Sequence, residues 1–224
     1  MAHSGLSSGR VVLLTGAGGP VAAMTERLLA HGARVALAGA VGHGGCAATA
    51  PAGAVLALPC DPGDPAGLGR AVDTVVDRFG RLDHLVNLVA AGPRTTPLME
   101  LDPLALREVL QRDLVVPLAC VQRAHRRWMA AHGGSVVTVV ADVVRDGARD
   151  VALAGLTELT EWLAAELAPR VDVHTLVPSP SIGADAYRTA VADALCGLLA
   201  RRPHRAHGPV LVLTEGHVRR PRAA

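Results

Sequence analysis

The sequence predicts a doubly wound α/β fold, and three observations carry that expectation. Short, nearly continuous runs of Val, Leu and Ala alternate with longer segments of helical periodicity. A glycine-rich turn, TGAGGPVA at 15–22, joins the first apolar run to the first helical segment. The strand-like runs lack an in/out alternation, which is the pattern of parallel strands covered by helices on both faces.

The elements follow in order. RVVLLT at 10–15 reads as a buried strand and PVAAMTERLLAHG as a helix closed by glycine. ARVALA at 33–38 is a second strand, followed by an abbreviated crossover poor in helix signals, GAVGHGGCAATAPAG. AVLALP gives strand three, and PAGLGRAVDTVVDRFG gives a helix ending at Gly80. LDHLVNLVA is strand four, with His84 expected to face solvent at its start. A long helix is expected over about 103–131, with Pro117 as a local kink. GGSVVTVVA is strand five, VALAGLTELTEWLAAELAP a helix closed by proline, and RVDVHTLVP strand six, with His174 read as a core histidine. DAYRTAVADALCGLLARR is a further helix and GPVLVLTEG closes the sheet. The sum is a Rossmann-like doubly wound sheet of about seven mainly parallel strands flanked by helices. Residues 1–9 read as a flexible tail and 10–224 as a single domain.

Half of the residues are hydrophobic but only 2% are aromatic, so the core has to be built from Ala, Val and Leu. There is no lysine; all 22 basic side chains are arginine. No lysine can therefore act as a base, form a Schiff base or lower a neighbour's pKa. The formal charge is +2, and the arginines are not set among aromatic stacking residues, which argues against nucleic acid as a partner. Cys46, Cys60, Cys120 and Cys196 have neither metal-ligand spacing nor disulfide-scaffold density, so no metal is expected. No run is long enough to span a bilayer and the N-terminus lacks a leader pattern, so a cytoplasmic protein without membrane contact is expected.

Gly16, Gly18 and Gly19 permit a tight turn that aims backbone amides at a pyrophosphate. Pro20 suits a first helical turn but brings no N–H, and Ala22 adds a methyl where close packing is usual. Strand two ends in Ala38-Gly39-Ala40-Val41, without an acid for a ribose or an arginine for a 2′-phosphate. The turn is accordingly expected to preserve the fold without holding a dinucleotide.

From strand one to TEG near the end, the chain resembles the short-chain dehydrogenase/reductase family. TGAGGPVA is similar to its TGxxxGxG turn, and Cys60-Asp61 to the strand end whose aspartate approaches adenine. LDHLVNLVAAG resembles LDxLVNNAG, keeping Asn87 but placing Leu88 and Val89 where asparagine and alanine are usual. HGGSVVTVVA resembles the strand before the catalytic serine, AGLTELTEWLAAELA the helix after the family lysine, and RVDVHTLVPSP the VRVNxxxPG segment. In that register the serine position falls on Ala141 or Asp142, the tyrosine on Arg149, the lysine on Leu153 and the helix asparagine on Asp113. Tyr187 lies beyond strand six, in the expected substrate-loop region. The resemblance thus implies a degenerate member lacking the Ser-Tyr-Lys set.

These readings lead to an atypical, cofactor-independent isomerase, dehydratase or cyclase acting on a small polar or carbonyl-containing metabolite. Asp113, Asp142, Asp146 and Arg149 are its candidate catalytic groups, although each also reads as an ordinary solvated charge. Gly16, Gly18, Gly19, Asp61 and Asn87 are vestigial cofactor-binding residues, with NAD(P) not expected. The first alternative is a noncatalytic pseudoenzyme subunit stabilising an active relative; the second is an NAD(P)-dependent oxidoreductase with relocated catalytic groups. A homo-oligomer, or a hetero-oligomer with a homologue, is expected through the two long apolar central helices.

Overall fold

Valine and leucine fill both faces of the central strands, and the chain satisfies their backbone groups in one sheet. In the computed structural model, residues 9–16, 18–39, 51–89, 96–140, 147–179, 182–200, 208–214 and 217–219 are described. The strands are β1 (Val11–Thr15), β2 (Arg34–Gly39), β3 (Val55–Pro59), β4 (His84–Val89), β5 (Gly134–Val140), β6 (Val171–Pro178), β7 (Val210–Thr214) and β8 (His217–Arg219). Their order is β3-β2-β1-β4-β5-β6-β7-β8. All neighbours run parallel except β7 and β8. The expected doubly wound sheet is therefore present, and the short antiparallel β8 extends the expected seven strands.

Alternate residues of each strand feed two separate cores. Val12, Leu14, Val35, Leu37, Val86, Val137 and Val139 pack with helices α1 (Val21–Ala30) and α7 (Ala184–Ala200). On the other face, Val11, Leu13, Ala36, Leu85 and Val136 pack with α2 (Pro65–Phe79) and the central helix. Asp64 caps α2 by accepting the Ala66 N–H at 2.9 Å, and Gly80 closes it in the left-handed conformation with φ +70°.

The expected helix over 103–131 runs from 103 to 132, but not as one regular α-helix. It comprises α3 (Pro103–Leu110), α4 (Val116–Ala124) and α5 (Ala130–His132), joined by π-helical turns at Gln111–Val115 and His125–Met129. Pro117 accounts for the first turn. Its ring would crowd the carbonyl four residues back, at Asp113, and it has no N–H to donate there. Widening the helix over 111–115 moves Asp113 out of that conflict, with the Val116 N–H reaching Gln111 O instead.

Helix α6 (Gly147–Leu167) begins four residues earlier than its apolar periodicity suggests. Its buried stripe is Ala148, Ala152, Leu156 and Thr160, at a spacing of four. The small side chains allow close approach, and a Cβ on Gly155 would lie 3.3 Å from Leu114 of the π turn. The outward sides of the central helices leave Leu104, Val115, Val151 and Trp162 exposed, Trp162 at 68%. Among the described residues, no helix is long and apolar enough to cross a membrane.

Candidate active site at the carboxyl edge of the sheet

The chain leaves β1 for a helix on one face and leaves β4 for a helix on the other, so the crossovers diverge between these neighbouring strands. Such a reversal opens a crevice at the carboxyl ends. Thr15 pairs with Asn87 across it, and the Thr15 hydroxyl donates to Asn87 Oδ1 at 2.8 Å. Gly16 then turns with φ +99°, its N–H donating to Ala38 O at 2.9 Å. A Cβ there would sit 2.4 Å from the Leu88 carbonyl oxygen; on Gly39, one would sit 2.2 Å from Gly16 O. Both positions thus require glycine for sterics as well as for backbone conformation.

Beside this junction lies a cavity of about 60 Å³ lined by residues including Thr15, Gly16, Pro62, Asn87, Leu88 and Arg112. Asn87 is 1% exposed, and its Nδ2 has no hydrogen-bond partner. A buried amide donor without an acceptor is costly, so the position favours a ligand or water that accepts from it.

Arg112 and Asp113 come from the π turn. Arg112 Nε and Nη2 donate to the two Asp113 carboxylate oxygens at 2.7 and 3.0 Å. Their hydrogen bond, together with the charge of Asp113, outweighs burial and raises the Arg112 pKa above its ordinary value. Asp113 is 7% exposed, which replaces the helix-surface alternative with a buried, ion-paired carboxylate. Arg149 occupies the first turn of α6, half-buried, and the π turn bearing Asp113 packs along the same helix. Asp142 and Asp146, with Ala141, lie outside the described residues.

Tyr187 reaches the same edge from α7. Its hydroxyl donates to Val140 O, the last carbonyl of β5, at 2.6 Å. The residue expected in a substrate loop is therefore fixed at the strand end that precedes position 141.

The glycine turn continues through Gly18, φ +145°, to Gly19, which begins the approach to α1. Pro20 gives α1 no side-chain cap, and its first turn holds no acid. Arg188 of α7 comes close here: a Cβ on Gly19 would be 3.9 Å from its Nε. Asp61 stays exposed after β3 and accepts the Gly63 N–H at 2.8 Å. Thr15, Arg112 and Arg188 were not among the sequence candidates. Arg112 had one available signal, its position directly before Asp113 and five residues before Pro117.

At the opposite edge, Asp83 is buried under Arg10, Arg81 and the Val11 N–H. Burial pushes its carboxyl up, but Arg81 foremost, with Val11 and Arg10, outweighs this and holds it below the usual range. His84 next to it is 6% exposed rather than solvent-facing, because the β4 register buries it between β1 and β5. Neither of its ring nitrogens has a partner, and burial pushes its pKa down to about 4. Burial pushes the Cys120 thiol up to about 12 and Cys196 to about 11, so neither is a ready thiolate. Among the described residues no group of His, Cys, Asp or Glu could hold a metal ion.

Comparisons with known proteins bear on this edge. Residues 19–194 match the family model described as enoyl-(acyl carrier protein) reductase. The chain is 30% identical over 209 residues to cis-4-hydroxycyclohexanecarboxylate dehydrogenase of Sinomonas cyclohexanicum, covering 86% of this chain and 84% of that protein. It is 29% identical over 195 residues to peroxisomal 2,4-dienoyl-CoA reductase of Danio rerio, covering 82% of this chain and 65% of that protein. A short-chain dehydrogenase from Burkholderia cenocepacia, solved in complex with NADP, superposes with a TM-score of 0.75 at 26% identity, covering 94% of this chain and 98% of that one. These relatives overturn the cofactor-independent reaction and the noncatalytic, non-redox subunit expected from the sequence, and with them the expectation that NAD(P) is not used. Pro20 and the end of strand two without an acid are therefore not a loss of the cofactor. The unsatisfied Asn87 amide instead fits a ligand crevice.

Proposed function

Because the chain belongs to the short-chain dehydrogenase/reductase family, we propose that it is an NAD(P)-dependent oxidoreductase with relocated proton-transfer groups. The observation that carries this reading is the β1/β4 junction, where Asn87 offers a buried, unpartnered donor beside a cavity. Gly16, Gly18, Gly19, Asp61 and Asn87 are then cofactor-side residues. When bound, the nicotinamide supplies or accepts the hydride. Each proton must move through side chains of this chain, none of which is lysine.

The proposed substrate is a small alcohol or carbonyl compound. Oxidation removes a C–H hydride and the O–H proton, leaving C=O; reduction reverses both transfers. The proton carriers are assigned to Asp142 and Asp146, directly after β5, and the cation that steadies the substrate oxygen to Arg149. The dehydrogenase relative that carries a carboxylate in its substrate name supports a hydroxylated cyclic acid as the first class to test. Tyr187 holds the end of β5 through its bond to Val140 and so fixes where the 141–146 segment begins.

The test is a steady-state assay with NADP⁺ or NAD⁺ and a panel of hydroxycyclohexanecarboxylates. Replacing Asp142 or Asp146 by Asn is expected to lower kcat on the order of a hundredfold at whichever carboxylate carries the proton. Full activity in the double variant would remove both from the mechanism. We further infer that copies of the chain associate through the outer sides of α3 and α6, where Leu104, Val151 and Trp162 are exposed.

A further inference from the structure

We propose that Arg112 and Asn87 form an oxyanion-recognition point in the cavity at the β1/β4 junction, with Asp113 as its positioning residue. The cavity walls are otherwise largely apolar: Pro62, Leu68, Leu88, Val116 and Pro117 surround the two polar groups. Asn87 Oδ1 is taken by the Thr15 hydroxyl, so only its Nδ2 hydrogens are left to offer. Arg112 commits Nε and one Nη2 hydrogen to Asp113. A guanidinium has five N–H hydrogens, so three more are available for an acceptor. Asn87 and Arg112 therefore offer only donors here, and their complementary group is an acceptor, best a negatively charged one.

Size narrows the choice. The cavity is small, about 60 Å³, which suits a small oxyanion head. Two planar donor groups on a mostly apolar wall fit a carboxylate or a phosphate oxygen face. Asp113 cannot serve as a freely exchanging acid while both oxygens hold Arg112; its part is to fix the guanidinium plane, in a helical turn that Pro117 widens. The oxyanion can come from a phosphate of the bound dinucleotide or from a substrate carboxylate. The phosphate source rests on the dinucleotide reading above; the carboxylate source does not.

Calorimetric titration of the full chain with ADP-ribose and with cyclohexanecarboxylate separates the two. Arg112→Gln is expected to weaken one probe tenfold or more, with Arg112→Lys intermediate because a point charge replaces the planar fork. Loss confined to ADP-ribose assigns the point to the nucleotide phosphate; loss confined to cyclohexanecarboxylate assigns it to the substrate. Asp113→Asn is expected to weaken the same probe by a smaller factor and Asp113→Glu to restore it. A merely structural Asp113 would lower Tm while leaving that affinity unchanged. The proposal is overturned when neither probe binds the wild-type chain, or when a folded Arg112→Gln variant binds both as tightly. NADPH and NADH provide the separating control: if neither binds but cyclohexanecarboxylate binding depends on Arg112, the dinucleotide reading fails and the recognition point stands.

Discussion

His84 shows what a single residue can cost the fold. It is buried with both ring nitrogens unpartnered, and its pKa is pushed down to about 4 by that burial, with the opposing pull of Asp83 too weak to restore it. The unfolded histidine takes a proton near pH 6.5, whereas the folded one does not until about 4. Between those values the unfolded state binds more protons, so stability falls as pH falls through the window and is fully present above it. The lowered shift corresponds to about 3 kcal/mol in total. Asp83, whose folded pKa is also depressed, adds a further loss only below the usual carboxylate range. Urea unfolding between pH 7.5 and 4.5 is expected to show this slope, and His84→Leu to flatten it without loss of stability at pH 7.5. An unchanged slope in that variant would place the pH dependence elsewhere. By its local pattern His84 belongs at a solvent-facing strand start. Its fate was set by neighbours 72 and 51 positions away, Val12 and Ser135, which no local pattern reveals.

At the level of elements, legibility followed periodicity. The parallel strands and their helices could be read because each must bury an apolar face, and Val, Leu and Ala mark those faces directly. The Asp64 cap and Gly80 stop could be read for the same local reason. The π turn at 111–115 could not, although Pro117 had been singled out: a proline predicts a conflict with residue 113 but not how the helix relieves it. Arg112 and Asp113 both lie on that turn, where Arg112 lines the cavity and pairs with Asp113. The outer helix faces have a consequence of their own. Leu104, Val151 and Trp162 are exposed large hydrophobics on α3 and α6. Association through them predicts a sedimenting mass at least twice the 23.0 kDa chain, and a shift toward monomer for Trp162→Glu. A wild-type chain that sediments as a monomer at micromolar concentration would contradict the interface.

For the whole molecule, fold and cofactor were legible to different degrees. The apolar runs mark the strands of the sheet directly, whereas individual substitutions are a poor guide to cofactor use. Pro20 removes one N–H, and the end of strand two lacks an acid, yet the crevice between β1 and β4 is present with both. At its floor Gly16 packs against the Leu88 backbone, Gly39 packs against Gly16, and Thr15 bonds Asn87. The missing lysine removes one proton carrier from the chain. The most direct measurement is therefore calorimetric titration of the full chain with NADPH, NADH and their oxidised forms. The account predicts saturable one-to-one binding of at least one of them at micromolar concentration, weakened in Gly16→Val, where the added side chain meets the Leu88 carbonyl. No heat of binding from any of the four, with the protein folded, would contradict it.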